Sequence, residues 1–362
     1  NLRIKADRGL IMSKVYTAAL IGCGRMGATI DDEVRDRPNS FLWLPYSHAA
    51  GYTEVDRTDL IAVSDVDLAK AETIRERYKV SKRYADYREM IENEKPDIVS
   101  IATRPATHAE ITVFAAEHGV KAIYCEKPLC CSMAEADAMV EACARYNVRF
   151  NYGTQRRYMP LYRKFREMTH DGTLGEADCI IGHCGVGAAQ WGHTHTTDML
   201  LFLAGDVEID YVQGTVVCSE DHWEGNRLNT DPGIACGYIR FSNGIHGYIV
   251  AGGGFEFEVS GRLGKIRSQD NGTLAQWRQA SQPWNMLKET PFPDIPGESG
   301  TVNAILDLVE ALDDDRETVG GIHLARRSQE IIFGLIESHR RDGARVELPL
   351  TDRDLYVGRK DW

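Results

Sequence analysis

The sequence lacks the features that would suit a membrane, a disulfide scaffold or a nucleic acid. No run approaches the roughly 20 apolar residues that a membrane-spanning helix needs, so we expect no membrane partner. Basic residues are in deficit, with 42 Lys and Arg against 54 Asp and Glu, and the formal net charge of -12 argues against nucleic acid. The nine cysteines form no CxxC pair, and several lie in apolar runs. Buried thiols in a reducing compartment are therefore favoured, and we expect a cytoplasmic protein.

The length predicts two domains. A chain of 362 residues exceeds the usual size of one hydrophobic core, and 43% hydrophobic with 27% charged residues is ordinary globular composition. Residues 1–11 lack the apolar centre of a signal peptide, and we leave them out of the fold prediction as a leader or an expression remnant before Met12. We expect a first domain at residues 12–149 and a second at residues 150–362.

The first domain alternates short apolar runs with helical patterns. We predict strands at residues 15–21, 60–63, 98–102 and 122–125, and helices at residues 68–78, 87–94, 107–118 and 134–146. Alternation of this kind is typical of a parallel, doubly wound sheet, so the sequence predicts an α/β Rossmann domain.

The pattern changes after residue 149, where strands follow one another directly. We predict strands at residues 177–184, 211–219, 234–241, 245–251, 255–260, 265–268 and 273–279, and helices at residues 302–312 and 322–339. Asn243-Gly244 between two of these runs is a strong hairpin signal. The second domain is therefore predicted to be α+β with a large, mostly antiparallel open sheet. Because large apolar faces rarely stay exposed, we expect a homo-oligomer, a dimer or a tetramer.

A glycine motif directly follows the first predicted strand. It reads Gly22-Cys23-Gly24-Arg25-Met26-Gly27, and a helical pattern follows it. In this context the glycines allow a tight turn, close approach of a pyrophosphate and close helix packing. The motif predicts a dinucleotide site, the alternative being a plain turn.

An acidic cluster ends the second predicted strand, at Asp65 and Asp67. A carboxylate there accepts hydrogen bonds from the ribose hydroxyls and repels a 2′-phosphate, so Asp65 favours NAD over NADP. Asp67 is also placed to cap the helix that follows. Asp65 lies unusually far along the chain from Gly27, because residues 30–47 are inserted between them. This insertion covers the cofactor site, contacts another subunit or is an ordered surface segment.

Several further motifs together resemble one family. They are Thr103 to His108 (TRPATH), Glu126-Lys127-Pro128, Arg156-Arg157-Tyr158, His195-x-x-Asp198 and the ending Arg345 to Leu350 (RVELPL). With the glycine motif they resemble the glucose-fructose oxidoreductase, inositol dehydrogenase and rhizopine-catabolism (Gfo/Idh/MocA) family. The resemblance implies a Rossmann domain and oxidation or reduction of sugars and cyclitols. It also implies a cis Lys127-Pro128 bond, cofactor contacts from Thr103, His108, Glu126 and Lys127, and cleft positions for Arg156 and Tyr158. The alternatives are local helix capping for His108 and structural ion pairing for Arg156 and Tyr158.

Lys127 and His195 suit the chemistry that this resemblance implies. Hydride transfer from a secondary carbinol requires removal of the hydroxyl proton and stabilisation of the developing alkoxide. Lys127 follows a sheet strand, at the end where doubly wound sheets bind ligands, and an imidazole accepts protons near neutral pH. Asp198 lies three residues after His195 on a predicted helix, so both share a face. We expect Asp198 to orient a substrate hydroxyl or the imidazole. The alternative for Lys127 is a solvated surface lysine, and the alternative for His195 is a structural histidine.

Two residues depart from the family pattern beside the predicted base. Inositol dehydrogenase-like members carry an Asp four residues before this His and often a Gly two before it, whereas this chain has Trp191 and His193. Inositol specificity is therefore not carried over; we expect Trp191 to offer a stacking wall to the substrate and His193 to line the substrate site beside it. His183, His193 and His195 could ligate zinc, but hydride transfer to NAD needs no metal, so we predict none.

The sequence thus predicts an NAD-dependent oxidoreductase acting on a secondary hydroxyl of a sugar, glycoside or cyclitol. One alternative is a redox-neutral glycoside-processing enzyme that retains its NAD and forms a transient 3-keto intermediate. Another is a non-catalytic NAD-binding regulator.

Overall fold

The computed structural model describes residues 14–283 and 285–362. The leader or remnant predicted at residues 1–11, together with Met12, lies outside the described residues. Within the described ranges, no helix has both the length and the apolar character needed to cross a bilayer.

The elements of the described chain follow one another with short connections. The strands are β1 (Tyr16–Ile21), β2 (Thr58–Ser64), β3 (Lys82–Tyr84), β4 (Ile98–Ile101), β5 (Ala122–Cys125), β6 (Arg149–Tyr152), β7 (Ala177–His183), β8 (Ile209–Val217), β9 (Trp223–Glu224), β10 (Arg227–Leu228), β11 (Gly233–Phe241), β12 (His246–Val250), β13 (Glu256–Gly261), β14 (Gly264–Gln269), β15 (Leu274–Gln279), β16 (Lys288–Thr290), β17 (Val346–Glu347) and β18 (Tyr356–Val357). The α-helices are α1 (Ile30–Val34), α2 (His48–Glu54), α3 (Leu68–Tyr78), α4 (Tyr87–Glu94), α5 (His108–Glu117), α6 (Met133–Tyr146), α7 (Pro160–His170), α8 (Thr194–Ala204), α9 (Gly300–Asp314) and α10 (Ile322–Arg340).

The first sheet is parallel, with strand order β3-β2-β1-β4-β5-β6. Strands β4 and β5 are buried along their whole length, as expected for a sheet covered on both faces. The order reverses between β1 and β4, and open sheets of this kind bind ligands at the carboxyl ends of the strands beside such a reversal. The predicted doubly wound sheet is confirmed.

The second sheet is mostly antiparallel, with order β16-β15-β14-β13-β7-β12-β11-β8-β17 and one parallel pair, β7 with β12. Burial alternates along β8, as it does in a sheet with one covered face. Helix α10 covers that face, and Leu335 lies so close to Gly214 and Gly237 that a Cβ at either position would meet it. The hairpin predicted at Asn243-Gly244 joins β11 to β12, with Gly244 at φ +92°. The predicted second sheet is also confirmed.

Several elements were not predicted from the sequence. Strand β6 extends the first sheet, and the side chain of its Asn151 donates to the Ala304 carbonyl oxygen of α9 (2.8 Å), which binds this late helix to the first sheet. Strand β3 and helix α2 are too short to show a clear hydrophobic period. The domain boundary after residue 149 stays a prediction, with β6 beginning at that residue.

The insertion of residues 30–47 is folded against the second half of the chain. The Asp31 carboxylate accepts from the backbone N–H groups of Tyr46 and Ser47, both at 2.9 Å, which closes the segment on itself. The Thr301 hydroxyl donates to the Tyr46 carbonyl oxygen (2.9 Å), and the Asn39 amide donates to Thr273 (3.3 Å). The insertion is therefore held against the loop between β14 and β15 and against the start of α9.

Candidate active site

The three motif glycines differ in the space around them. Gly22 has φ +95°, and a Cβ there would lie 2.6 Å from the Ala102 carbonyl oxygen. A Cβ at Gly27 would lie 1.9 Å from the Gly22 carbonyl oxygen, so a side chain at either end would prevent the turn from closing. A Cβ at Gly24 would meet nothing within 4 Å. The turn is thus tight at both ends and open at its middle, as a backbone that receives a pyrophosphate must be.

Arg25 and Met26 occupy the first turn of the helix that follows. Arg25 is exposed, and its Nε pairs with a carboxylate oxygen of Glu33 at 2.7 Å. Met26 is half-buried beside it. Both lie next to the open middle of the glycine turn, and their contact with a cofactor stays a prediction.

Asp65 lies beside the same turn. Its Oδ2 accepts from the Cys23 backbone N–H and its Oδ1 accepts from the Asp67 backbone N–H, both at 2.9 Å. The Asp67 side chain accepts from the backbone N–H of Ala69 (3.1 Å) and thus caps α3, so the two acidic residues have separate tasks. Asp65 is half-buried at the end of β2, where a ribose would meet its carboxylate.

The His108 side chain connects two loops by hydrogen bonds instead of facing a cofactor. The imidazole is fully buried, with Nδ1 at 2.9 Å from the Pro128 carbonyl oxygen and Nε2 at 3.3 Å from that of Thr103. Burial lowers the pKa of His108. Direct contact with a cofactor, as predicted from the resemblance, does not fit this position. Thr103 itself is half-buried, and its hydroxyl pairs with that of Thr107 (2.8 Å).

Glu126 also faces inward. Its Oε1 lies 3.0 Å from Nε2 of His48, and its Oε2 accepts from the Lys127 backbone N–H at 3.2 Å. His48 is fully buried, reaches the Ser100 hydroxyl with its other nitrogen and stacks on Tyr124 with ring centroids 4.2 Å apart. Glu126 therefore holds the backbone of Lys127 in place. Its carboxylate bonds to His48 and to that backbone, which does not fit the direct cofactor contact predicted for it.

Lys127 lies two residues after the end of β5, and its peptide bond to Pro128 is cis, as expected. Its Nζ donates to the Trp191 carbonyl oxygen (3.0 Å) and lies 4.2 Å from the centroid of the indole. Burial lowers the pKa of Lys127, the Glu126 charge opposes this shift, and the Arg156 charge adds to it. The ammonium thus reaches from the first sheet to a turn that precedes α8.

His195 lies on the first turn of α8, beside the same stretch of chain. Its backbone N–H donates to the Gly192 carbonyl oxygen (3.3 Å), and its Nδ1 is buried without a partner among the described residues. Burial lowers the pKa of His195 well below its usual value, and the charges of Arg156 and Lys127 push it the same way. The imidazole is therefore neutral at neutral pH. Lys127, from the other half of the chain, contacts the Trp191-Gly192 turn that precedes His195, and its charge acts on the imidazole.

The turn itself is held by a residue that the sequence analysis did not single out. The Asp231 carboxylate accepts from the backbone N–H groups of Gln190 (2.7 Å) and Trp191 (2.9 Å). Burial raises the pKa of Asp231, and the Lys127 charge opposes that shift. Trp191 is 41% exposed, and the stacking wall expected from it stays a prediction.

His193 does not line the cleft as predicted. It is 1% exposed, and its Nδ1 lies 3.1 Å from the Thr196 hydroxyl. Burial lowers the pKa of His193 to about 4. Among the described residues no group of three metal-ligating side chains lies close enough to hold an ion, so His183 and His193 do not join His195 in a ligand set.

Asp198 is likewise displaced from its predicted role. Although it lies three residues after His195, its carboxylate is buried against Arg157, which donates from Nη2 at 2.6 Å and from Nε at 3.1 Å. Arg157 is fully buried and also reaches Asp206 and the Val319 carbonyl oxygen. The helix is buried nearly all round, so residues on one face need not share one cleft. Asp198 anchors α8 instead of touching a substrate.

We predict that Asp198→Asn lowers the free energy of unfolding by about 3 kcal/mol, because it leaves the Arg157 charge buried without a carboxylate. Denaturant unfolding followed by tryptophan fluorescence measures this. Asp178→Asn, at an exposed residue of β7, is the matched control and is expected to change stability by less than about 0.5 kcal/mol. A variant with normal stability but lost activity would return Asp198 to the substrate site.

Tyr158 and Arg156 separate in the same way. Tyr158 is fully buried, and its hydroxyl donates to Asn151 (2.6 Å) and Asp307 (3.0 Å), so it binds α9 to the first sheet instead of lining a cleft. Arg156 points the other way, toward Lys127 and His195, whose pKa values its charge lowers. Of these two residues only Arg156 lies near Lys127 and His195, and its place in a substrate cleft stays a prediction.

Two aromatic residues beside Arg156 were not predicted as site residues. The Arg156 guanidinium carbon lies 5.2 Å from the centroid of the Trp43 ring and 4.3 Å from that of the Phe255 ring. Phe255 has φ +51°, a left-handed backbone that is rare for a bulky residue and is often found at functional sites. Its position after three glycines was the signal available in the sequence. Trp43 lies in the insertion, whose contacts no local pattern reveals.

Comparison with protein families identifies the first part of the chain. Residues 16–154 match the model of an oxidoreductase family with an NAD-binding Rossmann fold. The match covers the glycine turn, Asp65 and the Glu126-Lys127-Pro128 segment. It ends before α8, which carries His195.

Comparison with individual proteins extends the likeness over most of the chain. Myo-inositol 2-dehydrogenase of Thermotoga maritima is 27% identical over 239 residues, which cover 60% of this chain and 70% of that protein. D-apiose dehydrogenase of Rhizobium rhizogenes is 24% identical over 309 residues, covering 75% of this chain and 83% of that protein. A solved structure of levoglucosan dehydrogenase in complex with NADH and levoglucosan superposes with a TM-score of 0.71 at 20% identity, covering 93% of this chain and 100% of that one. This last likeness shows the fold.

Proposed function

Since the chain belongs to the Gfo/Idh/MocA oxidoreductase family, with its NAD-binding Rossmann domain matched at residues 16–154, we propose that it is an NAD-dependent dehydrogenase of a sugar, glycoside or cyclitol. The relatives named above support this class of substrate. The observation that carries the proposal is the contact of the Lys127 ammonium with the Trp191 carbonyl oxygen (3.0 Å), in the turn just before His195, together with the action of its charge on the His195 imidazole. An ammonium and a neutral imidazole thereby reach one cleft from the two halves of the chain.

The residues of the cleft divide the work of carbinol oxidation. NAD, when bound along the glycine turn, supplies a nicotinamide that accepts hydride. Lys127 holds the reacting oxygen and stabilises the negative charge that develops on it. His195 accepts the hydroxyl proton at its ring, which is free to do so because the imidazole is neutral. Asp231, Glu126 and His48 position these groups through the backbone.

A substrate screen tests the proposal. Purified protein is mixed with NAD and aldoses, cyclitols and glycosides in turn, and NADH is followed at about 340 nm, the absorbance of reduced nicotinamide. Steady NADH release supports the dehydrogenase. Turnover of a glycoside without added NAD, with release of an aglycone, would instead support the redox-neutral enzyme. NAD binding without any turnover would support a regulator.

We also propose that NAD is preferred over NADP, because the Asp65 carboxylate lies beside the glycine turn where it would accept from ribose hydroxyls and repel a 2′-phosphate. We predict that Asp65→Ser lowers the ratio of NADH to NADPH affinity by about 10- to 100-fold, the value of a charge-assisted hydrogen bond. Fluorescence titration with both nucleotides measures the ratio.

Asp67→Ser is the matched control for this change, because serine keeps the helix cap and Asp67 belongs to α3 rather than to the turn. Its ratio is expected to stay that of the unchanged protein. An unchanged ratio in Asp65→Ser would remove the ribose role from Asp65.

The homo-oligomer stays a proposal. The face of the second sheet opposite α10 carries Tyr211, Tyr238 and Tyr248, with centroids 5.7 Å and 5.5 Å apart in succession. Val217 on the same strand as Tyr211 is 61% exposed. An aromatic face of this kind favours a cover from a second copy of the chain, in a dimer or a tetramer.

A further inference from the structure

Arg156 is a buried cation with no anionic partner. The side chain is only 6% exposed, and its one hydrogen bond within residues 14–283 and 285–362 joins Nη2 to the amide oxygen of Asn271 (2.7 Å). Nε and Nη1 are buried without any partner there. A buried charge is normally paired, because an unpaired one carries a large desolvation cost. The neighbouring Arg157 shows the contrast, since it is paired with Asp198.

Two aromatic rings fix the position of this guanidinium. Trp43, from the insertion, lies near it at 5.2 Å, and Phe255, before β13, lies near it at 4.3 Å. Contacts of a guanidinium with aromatic rings are favourable, and they limit the directions in which its N–H groups can point. The side chain is therefore pre-positioned although it pairs with no carboxylate. The insertion supplies one of the two rings.

Arg156 lies next to the reacting groups. The Phe255 ring contacts the Arg156 guanidinium and also lies near the His195 imidazole, with the Phe255 and His195 ring centroids 6.4 Å apart. One aromatic ring therefore neighbours both groups. Lys127 adds a second positive charge to the same cleft. The nearby carboxylates are engaged elsewhere, Glu126 with His48 and Asp231 with the backbone of the Trp191 turn.

We infer that the substrate is a sugar acid, whose carboxylate binds Arg156 while its carbinol lies between Lys127 and His195. This rests on the proposed function and narrows it. A carboxylate is the planar anion that a single guanidinium binds with two parallel hydrogen bonds. A phosphate is also attracted to arginine, but its greater charge is usually shared among several donors. Among the described residues, no second arginine lies with Arg156 against the rings of Trp43 and Phe255.

A bound carboxylate would also assist the chemistry. His195 must take up a proton while two fixed positive charges, Arg156 and Lys127, act against it. Neutralisation of Arg156 by the substrate removes one of them. A neutral sugar of the same shape leaves both in place, so the cleft favours the acid in binding and in proton transfer alike.

Matched ligands test the inference on the unchanged protein. The protein is saturated with NADH, and calorimetry compares D-glucose with D-glucuronate, D-galactose with D-galacturonate, and D-glucose with D-gluconate and glucose 6-phosphate. We expect at least one sugar acid to bind about 10- to 100-fold more tightly than its neutral partner, the range of a charge-assisted contact. Equal affinities in every pair, or no binding of any sugar acid, would overturn the inference. Tighter binding of the phosphate than of every carboxylate would overturn it as well.

Variants locate the preference. Arg156→Gln is expected to abolish the preference for the acid while NADH affinity is unchanged, and Arg156→Lys to keep part of it. Arg163→Gln, an exposed arginine on α7, is the matched control and should keep the whole preference. A preference that survives in Arg156→Gln contradicts the assignment.

The failure of this inference is distinguishable from failure of the proposed function. If NADH binds and a neutral sugar is oxidised as well as its acid, the dehydrogenase stands and the carboxylate site falls. If NADH does not bind to the unchanged protein, the proposed function falls and the inference with it.

Discussion

Lys127→Ala is expected to lower kcat/KM by about 10³- to 10⁴-fold, the largest effect of any single replacement in this protein. The ammonium reaches the Trp191 turn across the cleft, where it would hold the reacting oxygen, and no other described lysine contacts that turn. Alanine removes the charge without adding bulk. Initial rates of NADH formation with the best substrate of the screen measure the loss, and NADH titration shows that the cofactor still binds.

Lys121→Ala is the matched control for this replacement. Lys121 directly precedes β5, whereas Lys127 follows it; Lys121 is exposed and pairs with Asp97, which precedes the neighbouring β4 at the opposite end of the strands from Lys127. Its removal should leave kcat/KM within about twofold, because an exposed pair contributes little. Activity of Lys127→Ala within tenfold of the unchanged protein would show that Lys127 is not the residue that stabilises the alkoxide.

His195→Asn is expected to lower kcat by about 10³-fold, within the range for loss of a general base. The imidazole is the neutral group beside Lys127, and its Nδ1 is buried and unpartnered in the described part of the chain. Asparagine keeps a polar group of similar size but does not accept a proton at neutral pH. His118→Asn, an exposed histidine at the end of α5, is the control and should retain full activity.

The pH profile gives a second readout for His195. Its pKa is held well below 6.5 by burial and by two positive charges, and only the neutral form accepts a proton. In the unchanged protein kcat/KM therefore rises with pH through that low pKa and is level at neutral pH. In His195→Asn this acidic limb should disappear. A limb that persists unchanged would assign the titration, and the role of base, to another group.

The residues proposed for catalysis come from the two sheets of the protein. The glycine turn and Lys127 belong to the first sheet, whereas His195 begins a helix packed on the second sheet. The insertion and the loop before β13 close around Arg156 from either side. A substrate held there would touch both layers, so binding and catalysis depend on how the layers are fixed to each other. The buried contacts of α9 with the first sheet provide part of that fixation.

The family motifs mark a place in the fold more reliably than they mark a role. Glu126, His108, Tyr158 and Asp198 all lie within a few residues of the cleft, yet each is buried and bonded to other parts of the protein. A motif position is maintained by any contact that a substitution would break, and contact with a ligand is one case among several. Burial and hydrogen-bond partners separate the two, and neither can be read along the chain.

The sequence alone determined the two sheets, most of their strands and helices, the glycine turn and the position of Lys127. These follow from local periodicity, from turn residues and from the rule that ligands meet the carboxyl ends of parallel strands. Only the tertiary structure decided that Arg156 faces the cleft while Arg157 and Asp198 pair in the core, and that Trp43 and Phe255 flank that arginine. Neighbouring side chains on one segment point in different directions, and their partners lie far away along the chain, so the physical reason is packing between segments that no local pattern encodes.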